Sequence, residues 1–141
     1  MTDTATMFAV VAATLYAAHA VADHWVQSHT AACRKAAPGL AGAAWCAWHV
    51  TTYLVTCTAA VVAVAAVLGV LDDLSPVGLA VGAAVNGLSH YVADRRRPLL
   101  WLARITGHGE WVDVDPQAPY RLDQSWHKGW LLVTAVLTAA L

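Results

Sequence analysis

The feature that most limits what this chain can fold into is a set of four long apolar stretches, at about 7–32, 40–71, 77–94 and 123–141, with few charges inside them. A helix that crosses a bilayer needs roughly 20 mostly apolar residues. The first two stretches exceed that length and the third is near it. The fourth carries Lys128 close to its start, from where a long side chain can snorkel to the headgroups. Charged residues are only 12% of the chain and hydrophobic ones 59%. A soluble domain carries about 25% charged residues, so too few are present here to clothe a water-facing surface. The expected fold is all-α: one transmembrane domain over residues 1–141, a four-transmembrane-helix bundle with a short cytoplasmic interfacial segment between helices 3 and 4.

The stretches are clearly punctuated. Pro38-Gly39 separates the first two. Asp72-Asp73 and Ser75-Pro76 separate the next two, with Ser75 placed to cap a helix whose first residue is Pro76. Pro98 is expected to end or kink the third helix, with 99–104 interfacial and 106–122 a loop carrying Gly107, Gly109, Pro116 and Pro119. The run 7–18 resembles a signal-peptide core, but no Lys or Arg precedes Arg34, so it reads as a retained helix. Gly78 and Gly82 form a small-xxx-small pair suited to close helix packing.

Lys and Arg set the expected orientation. Arg34 and Lys35 lie in the first loop, and Arg95, Arg96, Arg97, Arg104 and Arg121 lie around the third. The second loop has Asp72 and Asp73 and no cation. Loops 1 and 3 are therefore expected in the cytoplasm, with both termini outside, in a multi-pass protein of the cell (inner) membrane. Most of the seven Trp fall near the same membrane face and suit an interfacial belt. A net charge of −1, and a basic run that abuts a membrane helix, point away from nucleic acid. Arg95–Arg97 reads first as a positive-inside anchor; with Arg121, it could also receive an anionic headgroup or substrate.

The polar residues inside the apolar stretches carry the chemistry. His19 and Asp23, His90 and Asp94, and Asp123 and His127 are each four apart, so each pair shares a helix face. In alternating helices the order His-then-Asp, His-then-Asp, Asp-then-His puts every Asp about 6 Å nearer the cytoplasm than its His. His49 falls at a comparable depth, so all four helices bring a histidine to one half of the membrane. Burying such groups in a bilayer is costly, and they satisfy one another best around a cation. His19, Asp23, His49, His90, Asp94, Asp123 and His127 form the expected ligand set for one or two divalent ions, zinc first, with iron or manganese as alternatives. A proton relay and purely structural pairing are the competing readings. His24, His29, His108 and Cys46 are expected to stand aside, Cys46 as a small packing residue.

At these residues the chain resembles the small bacterial and phage membrane proteins labelled domain of unknown function 3307. The matching segments are His19-Ala-Val-Ala-Asp23 with Gln27, His49 with Tyr53, Ser89-His90-Tyr91-Val92-Ala93-Asp94 with Arg95–Arg97, and Leu122-Asp123-Gln124-Ser125-Trp126-His127. The last two runs are similar to the actinobacterial and actinophage branch. The resemblance spans nearly the whole chain and implies a four-helix membrane protein; it implies no activity.

The functional expectation is metal-dependent hydrolysis of an amphiphilic substrate approaching from the cytoplasmic leaflet. A metal polarises substrate and activates water, with Asp94 or Asp23 available as general base. The alternatives are a metal-ion or proton carrier, and a non-enzymatic membrane interaction protein locked by its His–Asp pairs. The sequence leaves the oligomeric state open.

Overall fold

The computed structural model describes residues 2–141. Its long helices are α1 (Thr4–Val21, continued by a π turn over Ala22–Val26), α3 (Gly39–Val67), α4 (Pro76–Asp94) and α7 (Ala118–Ala140). Short helices α2 (His29–Arg34), α5 (Arg97–Ala103) and α6 (Gly109–Val114) lie in the connections. The described chain contains no strand, so the all-α expectation stands.

The long helices close a ring: α1 packs on α3, α3 on α4, α4 on α7, and α7 on α1. Cross-contacts fix the directions. Tyr53 meets Asn86 while His49 meets His90, so α3 and α4 run antiparallel. The start of α4 at Gly78 meets Thr138 near the end of α7, while Ser89 meets Trp126. The long helices thus alternate in direction, although short helices rather than tight loops join α1 to α3 and α4 to α7. α1 with its π turn (Thr4–Val26) and α3 are long and apolar enough to cross a membrane.

One half of the ring is filled by Val11, Leu15, Cys57, Val61, Leu131 and Ala135, all buried. There α4 lies close to α7 because Gly78 and Gly82 have no Cβ: one added at Gly78 would stand 2.5 Å from the Thr138 carbonyl oxygen, and one at Gly82 would meet the Thr138 hydroxyl. The small-residue pair thus does what its spacing predicts. The outer faces remain apolar, with Val55 on α3, Leu88 on α4 and Leu132 on α7 all exposed.

Several expected boundaries move. The first stretch is not one helix to residue 32: it loosens into the π turn, and Ser28 then caps the separate α2 through the Ala31 N–H. The second helix stops at Val67 rather than running to 71, because Gly69 turns the chain at φ +70°. Ser75 caps α4 through the Gly78 N–H, with Pro76 in the first turn as expected. The expected 106–122 loop is largely helical: Gly107, at φ +86°, turns the chain between α5 and α6. α7 begins at Ala118, five residues before the expected 123, because Pro119 sits in its first turn, where a missing N–H costs nothing. Pro98 likewise starts α5 rather than kinking α4, which ends at Asp94.

Candidate metal centre

The other half of the ring is polar. Each long helix contributes a buried histidine: His19 from α1, His49 from α3, His90 from α4 and His127 from α7. Their rings form one cluster, with centroids 5.1 Å apart for His49–His90, 4.1 Å for His90–His127 and 5.0 Å for His19–His127. Four helices therefore do place their histidines at one level.

The centre of the cluster is a set of four atoms. His49 Nε2 and His90 Nε2 lie 3.1 Å apart. Asp23 Oδ1 is 3.2 Å from the first and 3.3 Å from the second. Asp94 Oδ2 is 3.3 Å from both. Each imidazole nitrogen can carry at most one proton, and a carboxylate carries none. Two protons at most must therefore serve five contacts, and a proton on both Nε2 atoms would set two N–H donors against each other at 3.1 Å. Lone pairs that converge in this way are satisfied by a cation between them. The spacing also suits one: donors about 2.0 Å from a tetrahedral ion stand about 3.3 Å from each other. Either His49–His90–Asp94 or His49–His90–Asp23 forms such a face.

The π turn matters here. Asp23 sits within it, and His19 Nδ1 lies 3.7 Å from Asp23 Oδ2, against 3.3 Å for the equivalent His90–Asp94 pair on a regular helix. Single π turns recur at functional sites because they re-aim a side chain. Here the turn accompanies an Asp23 carboxylate that faces α3 and α4 as well as its own histidine. A second ligand group lies beside the first: Asp94, Asp123 and His127 bring donor atoms within 4.8 Å of one another, with His127 Nε2 3.4 Å from Asp123 Oδ1. His19, Asp23 and His90 form a third such group. All seven residues expected from the sequence are thus brought together.

Lys35 is the residue that sequence reasoning missed. Its ammonium lies 2.6 Å from Asp94 Oδ1, with only 12% of its side chain exposed. Arg95 explains how it gets there: its guanidinium donates to the backbone carbonyls of Lys35 (2.7 Å) and Ala37 (2.8 Å), pinning the loop before α3. Gly42 completes the clamp, since a Cβ there would collide with the Ala37 carbonyl. Lys35 read only as a loop cation because nothing in helical spacing connects it to Asp94.

Two expected roles change. Arg95 does not wait for an anionic headgroup, because its guanidinium is spent on the loop carbonyls. Asp94 is not free to act as a base: Oδ1 is held by Lys35, and Oδ2 faces the two imidazoles. Arg121 pairs with Asp115 at 2.9 Å, whereas Arg96 and Arg97 are exposed. Cys46 packs with its thiol toward the Tyr91 carbonyl and joins no ligand group. His24 is exposed, 3.4 Å from the Tyr120 hydroxyl, and His29 and His108 are exposed as well.

A cleft of about 240 Å³ reaches the cluster from the end of the bundle that carries these cations. Asp23, Asp94 and Asp123 form part of its wall, with Lys35, Arg96 and Tyr120 among its other lining residues. The buried Gln27 side-chain nitrogen also lines it and has no hydrogen-bond partner. On the far side of the cluster, Tyr53 donates to Asn86 Oδ1 at 3.2 Å and its ring lies 3.9 Å from that of His90. Beyond that pair the core is mostly apolar, with Thr134 and Thr138 of α7 buried among the apolar side chains. No protein-family model, curated protein or solved structure matches this chain.

Proposed function

We propose that this chain is a membrane-embedded metalloprotein that hydrolyses an amphiphilic substrate at an ion held by His49, His90, Asp94 and Asp23. The single observation that carries the reading is the five-contact cluster of two imidazole nitrogens and two carboxylate oxygens, which has more close contacts than protons to fill them. The donor set of two nitrogens and two oxygens suits zinc first, with iron or manganese accepted by the same ligands. A bound divalent ion would supply a water of lowered pKa and polarise the substrate. Asp123, on the cleft wall and beside His127, takes the general-base role that Asp94 is not free to fill.

The membrane part of the reading rests on all four long helices spanning. α4 and α7 are less apolar than α1 and α3 because they carry Asn86, Ser89, His90 and Asp94, and Asp123, Gln124, His127 and Lys128, most of which face the centre or its cleft. Their exposed faces bear Leu88, Leu132 and Val136. The cleft end carries Lys35, Arg96, Arg97 and Arg121, and this excess of cations supports a cytoplasmic position for it, with both termini outside. Membership in the domain of unknown function 3307 family belongs to the same proposal, on the His90–Arg97 and Asp123–His127 runs.

The half of the bundle away from the centre is packed and, among the described residues, holds no buried ionisable side chain beyond Cys57, only the Thr134 and Thr138 hydroxyls among apolar residues, which favours a closed site over a carrier with a polar route to the opposite face. Elemental analysis of detergent-purified protein tests the reading. Stoichiometric metal is expected in wild type, with loss in His49→Ala/His90→Ala. Metal-dependent turnover of lipid-like esters or phosphoesters is expected to vanish in Asp94→Ala; an Asp94→Ala variant as active as wild type would refute hydrolysis here.

A further inference from the structure

We propose that Lys35 is a built-in cation that occupies the second cation position of the centre and so limits it to one divalent ion. The inference rests on the metal reading above and deepens it. Two ligand groups adjoin, His49–His90–Asp94 and Asp94–Asp123–His127, and they share Asp94. In dinuclear sites a shared carboxylate uses one oxygen for each metal. Here Asp94 Oδ2 faces the first group, at 3.3 Å from both imidazoles, while Oδ1 receives the Lys35 ammonium at 2.6 Å. The lysine thus takes the Asp94 oxygen that a bridging carboxylate would offer to its second metal. His127 Nε2, on a side chain 2% exposed, has no hydrogen-bond partner and belongs to the group that shares Asp94 with the first.

Charge agrees with geometry. Asp23, Asp94 and Asp123 contribute three negative charges to a poorly solvated site. One divalent ion and one ammonium cancel them when the histidines are neutral, whereas two divalent ions beside Lys35 would leave a net positive charge. Net charge in a low-dielectric interior is heavily penalised, so the chain's own cation excludes a second ion. The placement is built in, because Arg95 and Gly42 fix the backbone from which Lys35 reaches. It also keeps Asp123 and His127 free of metal for proton transfer.

The test is zinc stoichiometry after saturation and gel filtration in detergent. Wild type is expected to retain one equivalent, Lys35→Arg one, and Lys35→Met two. Lys35→Met/Asp123→Asn is expected to return to one, since the second group loses a carboxylate. A single equivalent in folded Lys35→Met would overturn the proposal. So would two equivalents in wild type, an outcome that needs no variant to fold. No zinc in wild type would overturn the metal reading itself, which separates the two failures.

Discussion

Where α4 crosses α7, two glycines touch the same threonine in different ways, and this gives a prediction that discriminates sharply. A Cβ on Gly82 would collide with the Thr138 hydroxyl, a side-chain atom, and would also stand 3.3 Å from the Thr134 carbonyl oxygen. A Cβ on Gly78 would lie 2.5 Å from the Thr138 carbonyl oxygen and 3.2 Å from its carbon, both backbone atoms. Ordinary contact begins near 3.4 Å, so Gly78→Ala must push the helices apart. Overpacking of this kind costs about 1–3 kcal/mol, and both Gly→Ala variants are expected to lose stability in that range. Their rescue differs. Thr138→Ala removes the hydroxyl, so it should recover most of the loss in Gly82→Ala. It leaves the carbonyl in place and should recover none in Gly78→Ala. The assay is reversible unfolding in mixed micelles, followed by tryptophan fluorescence from Trp126 and Trp130, which pack together on α7 with ring centroids 5.8 Å apart. Equal rescue of both variants, or of neither, would refute the account of how α4 and α7 are held together.

Tyr53→Phe keeps the ring against His90 but removes the donor to Asn86. It should cost about 0.6–1.7 kcal/mol, the range for buried polar contacts in membrane bundles, and leave metal content unchanged. Arg95→Leu should destabilise by about 1.5–3 kcal/mol, because two carbonyls lose a charged donor, and should loosen the loop carrying Lys35, as read by hydrogen exchange at the amides of 34–37. Asp115 sits outside the long helices, and its carboxyl is held below the ordinary value by the Gln117 N–H, then the Trp111 indole and Arg121. A lowered folded pKa gives stability that is present above the unfolded value of about 3.9 and lost as pH falls through the folded one. Acidification past about pH 4 and on through that lowered value should therefore release Trp111, seen as a change in its indole resonance that is absent in Asp115→Asn.

Much of the site was legible because helical spacing is a local property. The three His–Asp pairs and His49 could be placed on inward faces from residue numbers alone, and reversal of their order with chain direction fixed a common depth. Lys35 was not legible: it reaches Asp94 from a loop whose path depends on contacts of Arg95 with Lys35, 60 residues apart, and of Gly42 with Ala37, 5 apart. The π turn at Ala22–Val26 was equally hidden, since nothing in its sequence departs from an ordinary helix. Pro119, Gly107 and Gly109 misled because the same residues punctuate loops and begin or join short helices; only the packing of α5 and α6 against α7 decides between the two. The polar residues that define the centre also reduce the apolarity of α4 and α7, so the feature that marks function weakens the signal for spanning.

The central claim concerns which atoms meet at one point between α1, α3 and α4, and X-ray absorption at the zinc edge reads that most directly. On zinc-loaded, detergent-purified protein the account predicts a first shell of nitrogen and oxygen only, at about 2.0 Å, with outer scattering from two imidazoles. That scattering should be lost in His49→Ala/His90→Ala. A shell containing sulfur at about 2.3 Å, or zinc bound without imidazole scattering, would contradict it.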